Sequence, residues 1–288
     1  MVVGVNASQR QRLAVLRAVF DRAAPDYARQ VAPLLAPLYD DFLAYAAPQP
    51  DDRALDLGTG PGDIARRLAH HARLVIGLDL SLPALALARR ADPTRVVHLV
   101  QSDLERLPFC AGSFSLITAS FVLHATSPQR SLPALRRALI TGGRLVIQEW
   151  GPADRLHLAL DDLLADYASS VAPPPALAAL QQALAGLPPL WGDRLQDVED
   201  YREWLTEYGF GVEHACEGAP VTLRLPSAEA YLHFLLARPD RRAELEAMSA
   251  GQREAFLDAA RSLLAAAVST DGEIVWAPVL FRVRARRL

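Results

Sequence analysis

Leu55-Asp56-Leu57-Gly58-Thr59-Gly60-Pro61-Gly62-Asp63 is the stretch whose reading decides the fold. Arg53 to Leu57 runs from polar to apolar and reads as a buried strand, Gly58, Gly60 and Gly62 follow at every second position, and Ile64, Ala65, Leu68 and Ala69 then recur at helical spacing. A strand, a glycine-rich turn and a helix form the opening unit of a doubly wound α/β sheet. Glycine permits positive φ and carries no Cβ to block a ligand. The first turn of the following helix leaves backbone N–H groups unpaired. A ligand can therefore lie directly on the backbone at this turn.

The spacing is G-x-G-x-G and not the dinucleotide fingerprint G-x-G-x-x-G, because Asp63 stands where the third glycine belongs. A carboxylate there disfavours a pyrophosphate, since like charges would meet at the helix start. It suits a ligand with an amino group or a sulfonium. The next apolar run, Leu74 to Leu78, leads into Asp79-Leu80-Ser81. Asp79 lies where a ribose-holding acid belongs, roughly 20 residues downstream. Its two oxygens can accept both ribose hydroxyls; the plainer alternative is a helix N-cap.

The chain has 288 residues, is 51% hydrophobic and carries a net charge of −3. That length buries a full core. All 30 basic residues are arginine. The absence of lysine excludes P-loop phosphate binding, Schiff bases and pyridoxal phosphate. The near-neutral balance argues against nucleic acid as a partner. No apolar run reaches about 18 residues, so no membrane span is expected, and 1–12 has no signal-peptide pattern. Cys110 and Cys216 form neither a disulfide framework nor a metal site, which fits a cytoplasmic location.

Strands are expected at 54–57, 74–78, 96–100, 114–120 and 144–149, and helices at 62–72, 82–91 and 131–140, with Ser81 and Ser131 as N-caps. Gly58, Asp79, Asp103, Ser120 and Glu149 all fall at strand carboxyl ends, where ligands of such sheets bind. Residues 8–47 read as helices interrupted by Pro25 and Pro33. Leu156–Val171, Ala176–Ala185 and two segments in 241–268 read as further helices. Val198–Tyr208 reads as a helix ended by Gly209, and 210–215, 221–225 and 273–283 read as strands. Arg282, Arg284, Arg286 and Arg287 read as a solvated edge and tail.

The chain resembles the class I S-adenosylmethionine-dependent methyltransferases, and at motif level their small-molecule, quinone-methylating members. Leu55–Asp63 with Asp79 is similar to the first two motifs of that family, and Gln101-Ser102-Asp103-Leu104 to its adenine-side motif. Gly112–His124 is similar to its fourth strand with the "LH" exit, and Leu135–Ile147 to its "L-x-P-G-G" helix, turn and strand, with Thr141 in place of proline. The resemblance covers about residues 50–151. It implies a doubly wound, Rossmann-like, seven-stranded, mostly parallel sheet with an antiparallel last strand and helical cap insertions. Residues 1–288 would form one methyltransferase domain. Within it, 8–48 would be an N-terminal cap, 49–151 the cofactor-binding core, 152–197 and 226–270 cap insertions, and 198–225 with 271–288 the last strands.

It also implies S-adenosylmethionine as cofactor, S-adenosylhomocysteine as product, and a site built from Tyr27, Asp56, Gly58, Thr59, Gly60, Gly62, Asp79, Leu80, Ser102, Asp103, Leu104 and Ser120. Methyl transfer from a sulfonium is mainly a matter of alignment. It needs a base only when the acceptor carries a proton. His124 is the first candidate base, since an unperturbed histidine titrates near pH 6.5; Glu149 and His157 come next. The expected partner is a small, partly apolar or aromatic acceptor, O-methylated in preference to N or C. A homodimer is the open option for assembly, and no metal is required. The rival readings are a cofactor-binding sensor without turnover and a nicotinamide-dependent oxidoreductase.

Overall fold

The computed structural model describes residues 7–169, 172–184, 190–194 and 196–288. Nine strands occur among them: β1 (Arg53–Leu57), β2 (Leu74–Asp79), β3 (Val97–Gln101), β4 (Phe114–Ser120), β5 (Leu139–Trp150), β6 (Phe210–Gly218), β7 (Leu223–Leu225), β8 (Ile274–Trp276) and β9 (Leu280–Arg287). Seven form one sheet in the order β3-β2-β1-β4-β5-β9-β6, in which β9 runs antiparallel to both of its neighbours and the remaining pairs are parallel. This is the expected doubly wound sheet with an antiparallel last strand. The strand order turns back between β1 and β4, and that switch point is where a crevice opens outside the carboxyl ends of the strands.

The chain divides into two compact units. The sheet unit comprises the described residues of Leu35–Pro152, Pro188–Val221 and Ala277–Leu288. Its core joins Leu55, Leu57, Ile117, Leu145, Ile147 and Val283 from the strands to Leu132 and Leu135 of helix Pro128–Ala138 and Leu205 of helix Val198–Glu207. On the other face, Arg144 of β5 and Arg282 of β9 bond to Ala46 O and Asp41 of helix Ala36–Ala46, whose Leu38 and Phe42 are fully buried. The helical unit comprises the described residues of Met1–Leu34, Ala153–Leu187 and Thr222–Trp276. Leu160 and Leu164 of helix Arg155–Ala168, Tyr231 of helix Ala228–Leu236 and Phe256 of helix Ala250–Ala265 are buried there. No helix of the described residues is long and apolar enough to cross a membrane.

Several local expectations are corrected. The apolar run 273–283 is two strands, because Pro278 lacks a backbone donor and interrupts the ladder. β8 pairs with β7 in a small sheet of the helical unit, and β9 joins the large one. Residues 221–225 accordingly leave the large sheet. Ser81 caps helix Leu82–Ala91 by accepting from the Ala84 N–H, but helix Pro128–Ala138 starts at Ser127 and has Pro128 in its first turn. Ser131 instead lies buried inside that helix, where its hydroxyl donates to Ser127 O and accepts from Trp191 Nε1 at 3.0 Å. Helix 62–72 shortens to Asp63–Leu68. Pro25 lies within helix Ala7–Asp26, which gives way to a π-helical turn at Tyr27–Val31. Val171, Ala185 and the Pro188-Pro189 pair lie outside the described residues.

Arg282 is not a solvated edge residue. It is 5% exposed, donates through Nε and Nη2 to Gln148 Oε1 at 2.8 and 2.5 Å, and pairs with Asp41 of helix Ala36–Ala46. Arg284 and Arg286 pair with Glu213, and Arg287 donates to Leu139 O.

Candidate functional site

The glycine turn leaves β1 with Gly58 and Gly60 at φ +60° and +54°. The two positions require glycine for different reasons. A Cβ on Gly58 would stand 2.3 Å from Val122 Cγ2, so the neighbouring turn, not a ligand, already fills that space. A Cβ on Gly60 would meet nothing closer than Gly58 O at 3.9 Å, which leaves the backbone open to a ligand there. At Gly62 the close neighbour is Ala88 Cβ, at 3.0 Å, on helix Leu82–Ala91. Thr59 is buried, its N–H donating to Leu78 O at 3.0 Å.

Asp79, at the end of β2, ties this turn to the next. Its Oδ2 accepts the Gly60 N–H and its Oδ1 the Ser81 N–H, each at 2.8 Å, so it braces the cradle and does not cap the helix. Its carbonyl accepts from Ser102 N at 3.0 Å, and Leu80 O accepts from Gln101 Nε2 at 3.0 Å. Asp103 turns the chain after β3 by accepting from Glu105 N, and Leu104 packs against the sheet core. The ends of β2 and β3 are thus held together by one main-chain bond and one from the Gln101 side chain.

Asp56 is 1% exposed. Its Oδ1 accepts from the Thr118 hydroxyl at 2.9 Å, while its Oδ2 and the nearby Thr59 Oγ1 are buried without a hydrogen-bond partner. Burial pushes its carboxyl up to about 7, against the Thr59 and Thr118 hydroxyls beside it, which lower it, and with Asp79 and Asp63 adding smaller rises. An orphaned carboxylate oxygen of this kind fits a cationic ligand group. Asp63, in contrast, is paired with Arg66 at 2.8 Å and with Arg67. These pairs hold its carboxylate at the start of helix Asp63–Leu68.

β4 ends at Ser120, after which Phe121 takes φ +55° and stacks on Trp150 with ring centroids 4.0 Å apart. The turn that follows is organised by Glu149. Its Oε1 accepts from the N–H groups of Val122, Leu123 and His124 at 2.8, 2.6 and 3.3 Å. Its Oε2 lies 3.1 Å from His124 Nδ1. The Glu149 side chain is 3% exposed and that of His124 49%, so a buried acid holds a solvent-facing imidazole. Gly192 approaches this turn, its would-be Cβ 3.6 Å from His124 O.

The carboxyl ends of β1 to β5 therefore carry Gly58, Gly60, Asp79, Ser102, Asp103, Ser120 and Glu149 along one edge of the sheet, as expected. Tyr27 and His157 belong to the helical unit. His157 stacks on Trp276, and burial lowers its pKa, so it is held neutral. His233, on helix Ala228–Leu236 of the same unit, is exposed. Sequence reasoning missed Val122, Phe121, Gln148 and the partnership of Glu149 with His124. The one available signal was strand register, which sets Gln148 directly opposite Ser120.

A family model described as a methyltransferase domain matches residues 55–147. The chain is 39% identical over 105 residues to a demethylmenaquinone methyltransferase of Thermus thermophilus, covering 35% of this chain and 48% of that protein. It is 35% identical over 176 residues to that of Clavibacter sepedonicus, covering 58% and 69%. With a malonyl-[acyl-carrier protein] O-methyltransferase of Enterobacter lignolyticus it shares 36% over 129 residues, covering 44% and 50%. The chain thus spans about half the length of the first of these relatives. Among solved structures, the YcgJ protein of Bacillus subtilis shares the fold at a TM-score of 0.54 and 15% identity, over 86% of this chain and 97% of that one. Motifs in register, sheet order and the extent of the Clavibacter match agree: the chain belongs to the class I S-adenosylmethionine-dependent methyltransferase family.

Proposed function

We propose that the protein transfers a methyl group from S-adenosylmethionine to a small, partly apolar or aromatic acceptor, with oxygen favoured as the accepting atom and S-adenosylhomocysteine released. The observation that carries this reading is the succession of acceptors along the sheet edge. Asp103 serves the adenine amine, Asp79 the ribose hydroxyls, the backbone at Gly60 the sulfur region, and the orphaned Asp56 Oδ2 the ammonium, directly or through a water. Thr59 and Gly62 shape the turn, while Leu80, Ser102 and Leu104 line the nucleoside end. The bound cofactor supplies a methyl carbon on a positively charged sulfur.

His124 is the base in this proposal. In the tautomer that places Nδ1–H against Glu149 Oε2, Nε2 takes the proton of an acceptor hydroxyl as its oxygen is alkylated. Relatives named for demethylmenaquinone methylation support a small acceptor, and one named for O-methylation of malonyl-[acyl-carrier protein] leaves the accepting atom open; the histidine–carboxylate pair favours oxygen. A cytosolic location, without nucleic acid, membrane or metal, completes the proposal, and a homodimer stays the open option for assembly.

The test combines thermal shift with product analysis. S-adenosylmethionine at a hundred times its Kd should stabilise the protein by about 2.7 kcal/mol, and a nicotinamide dinucleotide should not. An isotopically labelled methyl group offered with phenols, quinols and amines should then appear on oxygen, read by the methyl chemical shift of the product. Stabilisation by the dinucleotide instead would overturn the reading. Tight cofactor binding without turnover across the panel would replace it with a sensor.

A further inference from the structure

Ser120, Gln148 and Arg282 are register partners on β4, β5 and β9, so their side chains lie in one row on the face that also carries Asp56 and Thr118. Gln148 Oε1 accepts from both Nε and Nη2 of Arg282. A guanidinium can only donate, so this bond fixes which end of the Gln148 amide is oxygen. Gln148 Nε2 is left pointing the other way and donates to Ser120 Oγ at 3.2 Å. Arg282 is itself anchored by Asp41. The Ser120 oxygen is thus committed as an acceptor on its protein side, and its own proton has no acceptor among the described residues.

Ser120 sits one residue beyond the pairing of Ala119 with Leu57, beside Gly58 and at the switch point of the sheet. In the proposed arrangement the nucleoside spans the ends of β3 and β2, which brings the amino-acid end of the cofactor to β1 and β4. That end is a zwitterion: its ammonium needs an acceptor and its carboxylate a donor. On this face Asp56 offers the first and Ser120 the second.

We infer that the Arg282–Gln148 pair sets Ser120 as an obligate hydrogen-bond donor to the carboxylate of the cofactor's amino-acid end. Ser120 is the binding residue, and Gln148 and Arg282 are positioning residues. The inference rests on the proposed function and deepens it.

The discriminating variant is Gln148→Glu, which keeps the size of the side chain and its bond to Arg282 but has no N–H to donate. Ser120 must then turn its proton toward Glu, away from the ligand. Calorimetric affinities would be compared for S-adenosylhomocysteine and for 5′-methylthioadenosine, which has the nucleoside and sulfur without the amino-acid end. Gln148→Glu and Ser120→Ala should each weaken S-adenosylhomocysteine about tenfold to a hundredfold, as expected for a bond to a charged group. Both should leave methylthioadenosine unchanged, and Ser120→Thr should stay within about threefold of wild type. If Gln148→Glu does not fold, the Ser120→Ala and Ser120→Thr pair carries the same test at a partly exposed position. Unchanged affinity for S-adenosylhomocysteine, or an equal loss for both ligands, overturns the inference while wild-type binding stands. Failure of the wild-type protein to bind S-adenosylhomocysteine at all overturns the functional reading and this inference with it.

Discussion

Glu149 and His124 are joined twice: the acid accepts the backbone N–H of His124 through Oε1 and faces its imidazole Nδ1 through Oε2. One buried side chain thereby shapes the turn after β4 and orients the ring that the turn presents. The two tasks separate by mutation. Glu149→Ala leaves three N–H groups without their acceptor and should cost about 3 kcal/mol in urea unfolding. Glu149→Gln keeps an oxygen for the turn and should cost only about 1 kcal/mol, yet lower turnover about a hundredfold or more with cofactor affinity held. Full activity in Glu149→Gln would remove the pair from the chemistry.

Asp56 predicts an unusual pH dependence. Its folded pKa, about 7, stands above the ordinary value of 3.8 that the unfolded chain keeps. Between those values the folded chain holds a proton that the unfolded chain has released, so stability falls as pH rises through the window and levels off above it. Asp56→Asn should flatten that slope and leave the ligand-free protein a few kcal/mol more stable at pH 8. Unfolding curves from pH 4 to 8 check the sign: a wild-type slope rising with pH, or an Asn variant no more stable, contradicts it.

The two glycines should fail differently. Gly58→Ala drives a methyl group into Val122 and strains a left-handed residue, so it should destabilise the fold by more than 2 kcal/mol. Val122→Ala should recover part of the loss in a double-mutant cycle. Gly60→Ala carries the backbone strain alone, about 1–2 kcal/mol, but should abolish measurable S-adenosylhomocysteine binding. Retained binding in Gly60→Ala would mean that the ligand does not rest on this backbone.

Asp79→Ala removes the acceptor of both the Gly60 and Ser81 N–H groups together with the proposed ribose partner. Affinity for adenosine-containing ligands should fall about a hundredfold. Asp103→Ala touches a turn bond and the proposed adenine contact, and should cost about tenfold. Calorimetry with S-adenosylhomocysteine decides. Equal, small effects at the two positions would deny Asp79 its place.

Features determined by neighbouring residues were legible in the sequence. The glycine turn, the Ser81 cap and the five parallel strands follow from local periodicity and turn chemistry, and the residues at the strand ends followed with them. What escaped depends on partners distant in sequence. Arg282 looks solvated until Gln148, 134 residues away, and Asp41 close around it. Glu149 and His124 were each visible as candidates, but their pairing arises only when β4 and β5 lie side by side. The ion pairs of Asp63 with Arg66 and Arg67 were likewise not read from the sequence. The break at Pro278 was readable in principle, but the apolar run on either side outweighed it.

β9 occupies the slot between β5 and β6, and its rungs on both sides are filled by residues 280–287. On the ribosome, β6 therefore emerges some 60 residues before the strand that will attach it. During that interval two ladders of backbone groups wait open, one on either lip of the gap, and both are templates for a wrong partner. A trigger-type holdase, or slow passage through 219–279, would guard that interval. Chains halted before Leu280 should be captured by chaperones or aggregate while their first five strands are already folded.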